Sequence, residues 1–268
     1  MNISFIGGGI MAEAIIRGIL GANIASSRDI SVSDPIKLRR QYLTETYDVS
    51  TYSSNVDVIS ESELVILSVK PQNLKEVVWE IKSSLSSENT VVSIIAGASM
   101  QSLCKELDHN KVIRLMPNTP AQIGQGITVW TSSTEVSESV IESIRKILKT
   151  LGDEIYVDEE KYIDMATALS ASGPAYVFMF IESLIDAGVY LGMSREMSRK
   201  LTLETILGST KLLKSSDNHP ATLKDMVTSP GGTTAEGLLA LEQGLFKSSV
   251  MRAVISAFNK SRTLGKQN

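Results

Sequence analysis

Phe5-Ile6-Gly7-Gly8-Gly9-Ile10-Met11-Ala12 is the stretch that decides the fold. It follows a short apolar strand, residues 3–6, and runs into a segment with helical spacing, residues 11–20. The spacing fits G-x-G-x-x-A, with Gly7, Gly9 and Ala12 at the three defining positions. Gly7 permits the tight turn out of the strand. Gly9 has no side chain, so the backbone can approach a pyrophosphate, and Ala12 lets the helix pack close to the sheet. Ile10 and Met11 open the helix with Ala12, offering free N–H groups and a positive dipole end to phosphates. A dinucleotide site is expected here; the alternative is a glycine-rich turn with no ligand.

Outward from this turn, the first half alternates strands and helices. A second strand is expected over 29–33 and a helix over 37–46. Residues 64–69, Leu-Val-Ile-Leu-Ser-Val, read as a strand buried on both faces, as in a parallel sheet. A helix over 74–85 and a strand over 90–95 follow. Strands are expected over 111–116, 126–131 and 154–157, with a helix over 136–151. This alternation predicts an α/β domain with a parallel sheet. Beyond about residue 160 only helical patterns remain, over 175–191, 194–213, 221–227, 233–243 and 247–264. The expected organisation is therefore an α/β domain over 1–160 and an all-helical domain over 161–268. Tyr176-Val177-Phe178-Met179-Phe180-Ile181 is apolar nearly all round. Such a helix needs burial on most sides, against a second copy of the chain or at the centre of a monomeric bundle. We expect a homo-oligomer.

Composition narrows the function. The 268 residues carry 26 Lys and Arg against 30 Asp and Glu, a net charge of -4. That excludes a broad basic footprint for nucleic acid and a polybasic membrane surface. One cysteine, Cys104, cannot form an internal disulfide, and two histidines are too few for a histidine-rich metal site, so no metal is expected. His109 and His219 are expected in solvated turns. The uncharged run 165–181 is 17 residues long and is interrupted by Ser170, Ser172, Gly173 and Pro174. No membrane span and no signal peptide are expected, and the expected location is the cytoplasm.

Ligands of open α/β sheets bind at the C-terminal ends of the strands. Ser33-Asp34-Pro35 ends the second strand, with Asp34 placed 25 residues after Gly9. An acid there suits a ribose 2′-hydroxyl and favours NAD, whereas Arg39 and Arg40 can meet a 2′-phosphate, and Ser33 can donate to either. Asp34 also reads as a plain turn residue before Pro35. The cofactor is thus NADPH or NADH. Val69-Lys70-Pro71-Gln72 ends the central strand, where Lys70 also reads as an exposed loop lysine. Ala96-Gly97 ends the next strand and leaves room for a flat nicotinamide ring. Met116-Pro117-Asn118-Thr119-Pro120 ends the one after, a stiff loop whose Asn118 is taken as a cofactor contact.

The helical half carries Ser229-Pro230-Gly231-Gly232-Thr233-Thr234-Ala235-Glu236. Thr233 and Glu236 read as a capping box at a helix start. The free N–H groups there, with the hydroxyls of Ser229, Thr233 and Thr234, suit a carboxylate; an ordinary capped helix is the alternative. Thr167-Ala168-Leu169-Ser170-Ala171-Ser172-Gly173-Pro174-Ala175-Tyr176 offers hydroxyls but no acid, base or metal ligand, and also reads as a close-packing turn. A hydride-transfer enzyme with no evident acid–base side chain suits a protonated imine, whose nitrogen already carries the proton.

Taken in order along nearly the whole chain, these motifs resemble those of the pyrroline-5-carboxylate reductases. The segments Ser172-Gly173-Pro174-Ala175-Tyr176 and Ser229-Pro230-Gly231-Gly232-Thr233-Thr234 are the most specific. The resemblance implies an N-terminal Rossmann domain and a helical C-terminal domain that interlocks into dimers, which often assemble further. It implies reduction of L-1-pyrroline-5-carboxylate to L-proline, the last step of proline biosynthesis, with NADPH or NADH. It further implies cofactor contacts from Asn55, from Ser33 and Asp34, from Ser68, Val69, Lys70 and Pro71, and from Ala96 and Gly97. The substrate carboxylate would be held by Ser229, Gly231, Gly232, Thr233 and Thr234, with Thr167 beside the ring nitrogen. Two positions depart from the pattern. Ala171 replaces a glycine and would be strained if φ were positive there. Asp34 replaces the polar or basic residue of strongly NADPH-preferring members. A β-hydroxyacid dehydrogenase is a second reading, but Lys200 and Lys211 sit in no motif for its catalytic lysine. A non-enzymatic NAD(P)-binding regulator is a third.

Overall fold

The computed structural model describes residues 1–267, with side chains described to residue 264. Ile3–Ile6 (β1), Ile30–Ser33 (β2), Ser50–Tyr52 (β3), Leu64–Leu67 (β4), Thr90–Ser93 (β5), Val112–Met116 (β6), Gly126–Ser132 (β7) and Gly152–Tyr156 (β8) form one eight-stranded sheet. Its order is β3-β2-β1-β4-β5-β6-β7-β8. The first six strands run parallel. Strand order therefore reverses between β1 and β4, the kind of switch point at which open α/β sheets bind ligands.

The sheet is not parallel throughout, because β7 pairs antiparallel to β6. Only residues 117–125 join the two strands. That is too short for the crossover a parallel pairing requires, so the chain must turn straight back. β8 then pairs parallel to β7 through the crossover helix Glu138–Leu151.

Alternation along the strands divides the core between two faces. In β4, Leu64 and Ile66 enter one cluster, with Phe5, Ile16 and Leu148. Val65 and Leu67 enter the other, with Val78, Leu103 and Val112. Ile10–Gly21 (α1), Lys37–Tyr47 (α2), Leu74–Ile81 (α3), Met100–Leu107 (α4) and Glu138–Leu151 (α5) are the helices of this half. Two of these elements lie outside the sequence expectation. β3 has three residues on the sheet's edge, too short for a periodic signal. α4 follows Ser99, whose side chain accepts the Ser102 N–H at 3.1 Å.

Contacts divide the chain into one unit of residues 1–172 with 256–268 and another of residues 173–255. The first unit thus takes in Lys161–Ala166 (α6) and the end of the last helix. The second contains Gly173–Tyr190 (α7), Arg195–Lys214 (α8), Pro220–Met226 (α9), Thr233–Gln243 (α10) and the start of Phe246–Gln267 (α11). α7 packs on α8 at Gly188, where a Cβ would stand 2.6 Å from the Ser198 hydroxyl oxygen. No residue of α7 is buried within the single chain. Residues 161–190 also form one helical stretch long and apolar enough, by length and composition, to cross a membrane. Ser172 is a bend between the π turn Thr167–Ala171 and α7, so the run is broken there as expected, whereas Gly173 and Pro174 open α7.

Candidate active site

The glycine turn joins β1 to α1 at the switch point. Gly7 has φ of 95°, and a Cβ on it would stand 2.8 Å from the Ser68 carbonyl oxygen. Ser68 braces the turn, its hydroxyl donating to the Gly7 carbonyl at 2.7 Å and the Ile6 carbonyl at 3.1 Å. Gly9 differs: a Cβ there would meet nothing within 4 Å, so the space beside it is open. Gly9 is also the N-cap of α1 and offers no capping side chain. The first helical hydrogen bond runs from Glu13 N–H to the Gly9 carbonyl at 3.0 Å. The N–H groups of Ile10, Met11 and Ala12 therefore have no acceptor in the helix. Open space before uncapped donors and a positive dipole end fits a dinucleotide pyrophosphate.

Asp34 sits behind this turn, 9% exposed. One carboxylate oxygen accepts Gly8 N–H at 2.9 Å and the other Ile36 N–H at 2.9 Å. The charge is thus held at the end of β2 by backbone donors, and the residue does the work of a turn brace. Arg40 donates to the Asp34 carbonyl at 2.6 Å. Arg39 donates to the Gly8 carbonyl and pairs with Glu13 at 2.5 Å. Burial pushes the Glu13 carboxyl up, but hydrogen bonds from Arg39, Tyr47 and Tyr42 outweigh it and hold the group below the usual range. Ser33 is fully buried and donates to the Asn55 side-chain oxygen at 2.7 Å, while Asn55 donates to Glu80 at 2.7 Å. Asn55 is thereby oriented from both sides.

The remaining strand ends follow. Val69 is half-buried, and Lys70 is exposed at the N-cap of the 3-10 turn Pro71–Asn73. Gly97 takes φ of 78° after β5, beside half-buried Ala96. Asn118 follows β6. Its side-chain oxygen accepts Ile127 N–H at 2.9 Å and its amide donates to the Ser170 carbonyl at 3.4 Å. Ser170 belongs to the π turn, which begins at Thr167. The Thr167 hydroxyl donates its proton to the Ile163 carbonyl at 2.8 Å, so its oxygen is left to act as an acceptor. Ala171 carries no strain, since it is absent from the residues with positive φ. The position is a helical one, where alanine is well suited.

In the other unit, Gly231 turns the chain with φ of 64°, and α10 begins at Thr233. The expected capping box does not form. Gly232 is the N-cap, extended and without a capping side chain, which makes Thr233 the first helical residue. The first helical bond is Glu236 N–H to the Gly232 carbonyl at 3.3 Å. The N–H groups of Thr233, Thr234 and Ala235 are consequently free to meet an anion. The Ser229 side chain folds over Gly232, where a Cβ would lie within 2.2 Å of its hydroxyl oxygen.

Two further features correct or extend the sequence reading. His109 is not in a solvated turn: it is 9% exposed, with Nε2 bonded to the Asn89 carbonyl at 2.9 Å. Burial lowers its pKa. His219 is exposed and caps α9, accepting Ala221 N–H at 3.2 Å. A buried cation was missed. Arg114, inside β6, pairs with Glu160 at 2.7 Å and Asp164 at 2.9 Å. A charge among Val112, Ile113, Leu115 and Met116 was its one signal in the sequence. Among the described residues no group of His, Cys, Asp and Glu is arranged to hold a metal ion.

The chain is similar to known proteins over its whole length. A family model described as pyrroline-5-carboxylate reductase dimerisation matches residues 160–264. One described as NADP oxidoreductase coenzyme F420-dependent matches residues 2–97. The chain is 39% identical over 267 residues to a pyrroline-5-carboxylate reductase of Synechocystis, covering 100% of this chain and 99% of that one. It is 40% identical over 263 residues to one from Glycine max, covering 98% and 96%. Its structure matches that of Plasmodium falciparum pyrroline carboxylate reductase with NADP bound at a TM-score of 0.91 and 37% identity, covering 99% and 98%.

Proposed function

The chain belongs to the pyrroline-5-carboxylate reductase family, and from that premise we propose that it reduces L-1-pyrroline-5-carboxylate to L-proline in the cytoplasm, as a homo-oligomer. NADPH or NADH, when bound, supplies the hydride for the imine carbon. The observation that carries the reading is the pair of glycine-capped helix starts, at Gly9 and Gly232, each leaving N–H donors free. One suits a pyrophosphate and the other a carboxylate.

The chain's own residues have positioning tasks. Gly7, Gly9, Ile10, Met11 and Ala12 receive the pyrophosphate. Ser33, Asp34 and Asn55 form the ribose end, while Ser68, Val69, Lys70, Pro71, Ala96, Gly97 and Asn118 border the rest of the cofactor. Ser229, Gly231, Gly232, Thr233 and Thr234 hold the substrate carboxylate. Thr167 meets the ring nitrogen. A protonated imine is a donor there, and the Thr167 oxygen is an acceptor because its own proton is committed to Ile163. No side chain has to deliver a proton to a nitrogen that already bears one. Holding the reactants in register supplies much of the acceleration of such a two-reactant step.

The test is oxidation of NADPH and of NADH with pyrroline-5-carboxylate, followed by absorbance, with proline identified as the product. Turnover with either supports the assignment. Binding of both cofactors without turnover sinks it and favours a regulator. In the same assay Thr234→Ala is expected to raise the substrate KM while leaving the cofactor KM unchanged.

A further inference from the structure

The geometry points to Arg114 and Asn118 as positioning residues for Thr167, acting on the two ends of the π turn that carries it. The inference rests on the reading that Thr167 meets the substrate nitrogen. Arg114 lies in the middle of β6 and is 1% exposed. Its two terminal nitrogens donate to Glu160 at 2.7 Å and to Asp164 at 2.9 Å. Glu160 is the N-cap of α6, and Asp164 lies one turn before Thr167. Asp164 is also the neighbour of Ile163, whose carbonyl takes the Thr167 proton. The cluster is braced further: Glu160 accepts Met100 N–H at 2.6 Å, and Asp164 accepts the Ser261 hydroxyl at 3.4 Å. This fixes the entrance to the π turn against the sheet.

Asn118 acts on the exit. It stands four residues after Arg114, in the loop that follows β6. Its amide spans from Ile127 N–H at the start of β7 to the Ser170 carbonyl inside the π turn. One strand and its following loop thus grip both ends of a five-residue turn.

Cohesion alone is a poor explanation. Apolar packing of similar volume generally holds elements together as well as a buried Arg–carboxylate cluster does. The Arg114 Nε is left buried without a partner, which works against stability. A π turn is likewise rare, and where one interrupts an α-helix it frequently lies at a functional site. Both features make sense when the requirement is placement. Apolar contacts tolerate sliding, whereas a guanidinium held by two carboxylates fixes direction as well as distance.

The test uses the full-length oligomer and steady-state kinetics with pyrroline-5-carboxylate, alongside thermal melting. The variants are Thr167→Val, Asn118→Ala and Arg114→Lys, and each of the last two combined with Thr167→Val. Asp164→Asn, which removes a charge but keeps an acceptor oxygen, replaces Arg114→Lys if that variant does not fold. Each single variant is expected to lower kcat, at saturating cofactor, about tenfold or more, since reactant placement is so steeply rewarded. The cofactor KM is expected to stay unchanged in Thr167→Val and in the Arg114 or Asp164 variant, while Asn118→Ala, at a residue that also borders the cofactor, can raise it in addition. Each double variant is expected to be no slower than Thr167→Val, because residues acting through one group do not add. The inference is overturned if Thr167→Val is slow while Asn118→Ala and the Arg114 or Asp164 variant are not; the role of Thr167 then stands. If Thr167→Val itself keeps full kcat, the reading of Thr167 falls and the inference with it. Losses that multiply in the double variants, or an Asn118 effect confined to the cofactor KM, overturn it as well.

Discussion

Gly7 and Gly9 look alike in the motif and do different work in the fold. Gly7 adopts a positive φ, and a Cβ would press on the Ser68 carbonyl, so Gly7→Ala is expected to lower the melting temperature. A Cβ on Gly9 points into open space, so Gly9→Val is expected to leave the melting temperature near that of the parent. It should instead weaken NADPH and NADH binding, measured by quenching or enhancement of cofactor fluorescence. Equal thermal losses for the two variants would refute the distinction. Asp34 is the other decisive residue. Under the proposed function its carboxylate charge lies at the ribose end of the cofactor, and Asp34→Asn removes the charge while keeping one acceptor oxygen for the backbone donors Gly8 N–H and Ile36 N–H. This variant is expected to shift the kcat/KM ratio toward NADPH by about tenfold or more, given the size of close like-charge repulsion. No shift would remove Asp34 from cofactor selection. The motif was legible because its chemistry is local. Arg114 was not, because its partners lie 46 and 50 residues away in the sequence.

Elements were read well where periodicity or apolarity is strong, as in β4 and α5, and poorly where a neighbour decides. The capping box at α10 is such a case: the T-x-x-E pattern is present, but the extended Gly232 takes the cap position and shifts the helix start. The antiparallel return of β7 was implicit in the short connection after β6, a matter of length and not of composition. His109 was misread because Asp108-His109-Asn110 is polar, although the turn tucks the ring against Asn89. Its burial has a consequence for pH. Burial lowers the folded pKa below its ordinary value, so the unfolded chain binds a proton that the native state resists. Stability from this group is full above the unfolded pKa and is lost as pH falls through and below it. The melting temperature is therefore expected to decline between about pH 7 and pH 5, and His109→Gln should flatten that decline. An unchanged slope in the variant would show that other groups govern it.

At the scale of the whole molecule, α7 poses a problem the single chain does not solve. Phe178 is 62% exposed and Met179 71%, and no residue of the helix is buried. Each large apolar side chain left in water forgoes roughly 1.5–3 kcal/mol of burial. A lone chain presenting this surface would aggregate or find a partner. The family model matching residues 160–264 describes a dimerisation region, and α7 lies within it. A second copy of the chain is the partner that supplies an equal apolar surface, and a two-fold interface buries both at once. Light scattering coupled to gel filtration should then give a mass that is a multiple of the 29.1 kDa chain. Phe178→Glu places a charge on that surface and should shift the mass toward a single chain. The apolar burial that the oligomer supplies is lost with it, so the melting temperature should fall and become independent of protein concentration. A parent protein that elutes as a stable 29.1 kDa monomer would break the argument at its first step. A variant that stays oligomeric would move the interface off this face of α7 and leave its exposed side chains needing another cover.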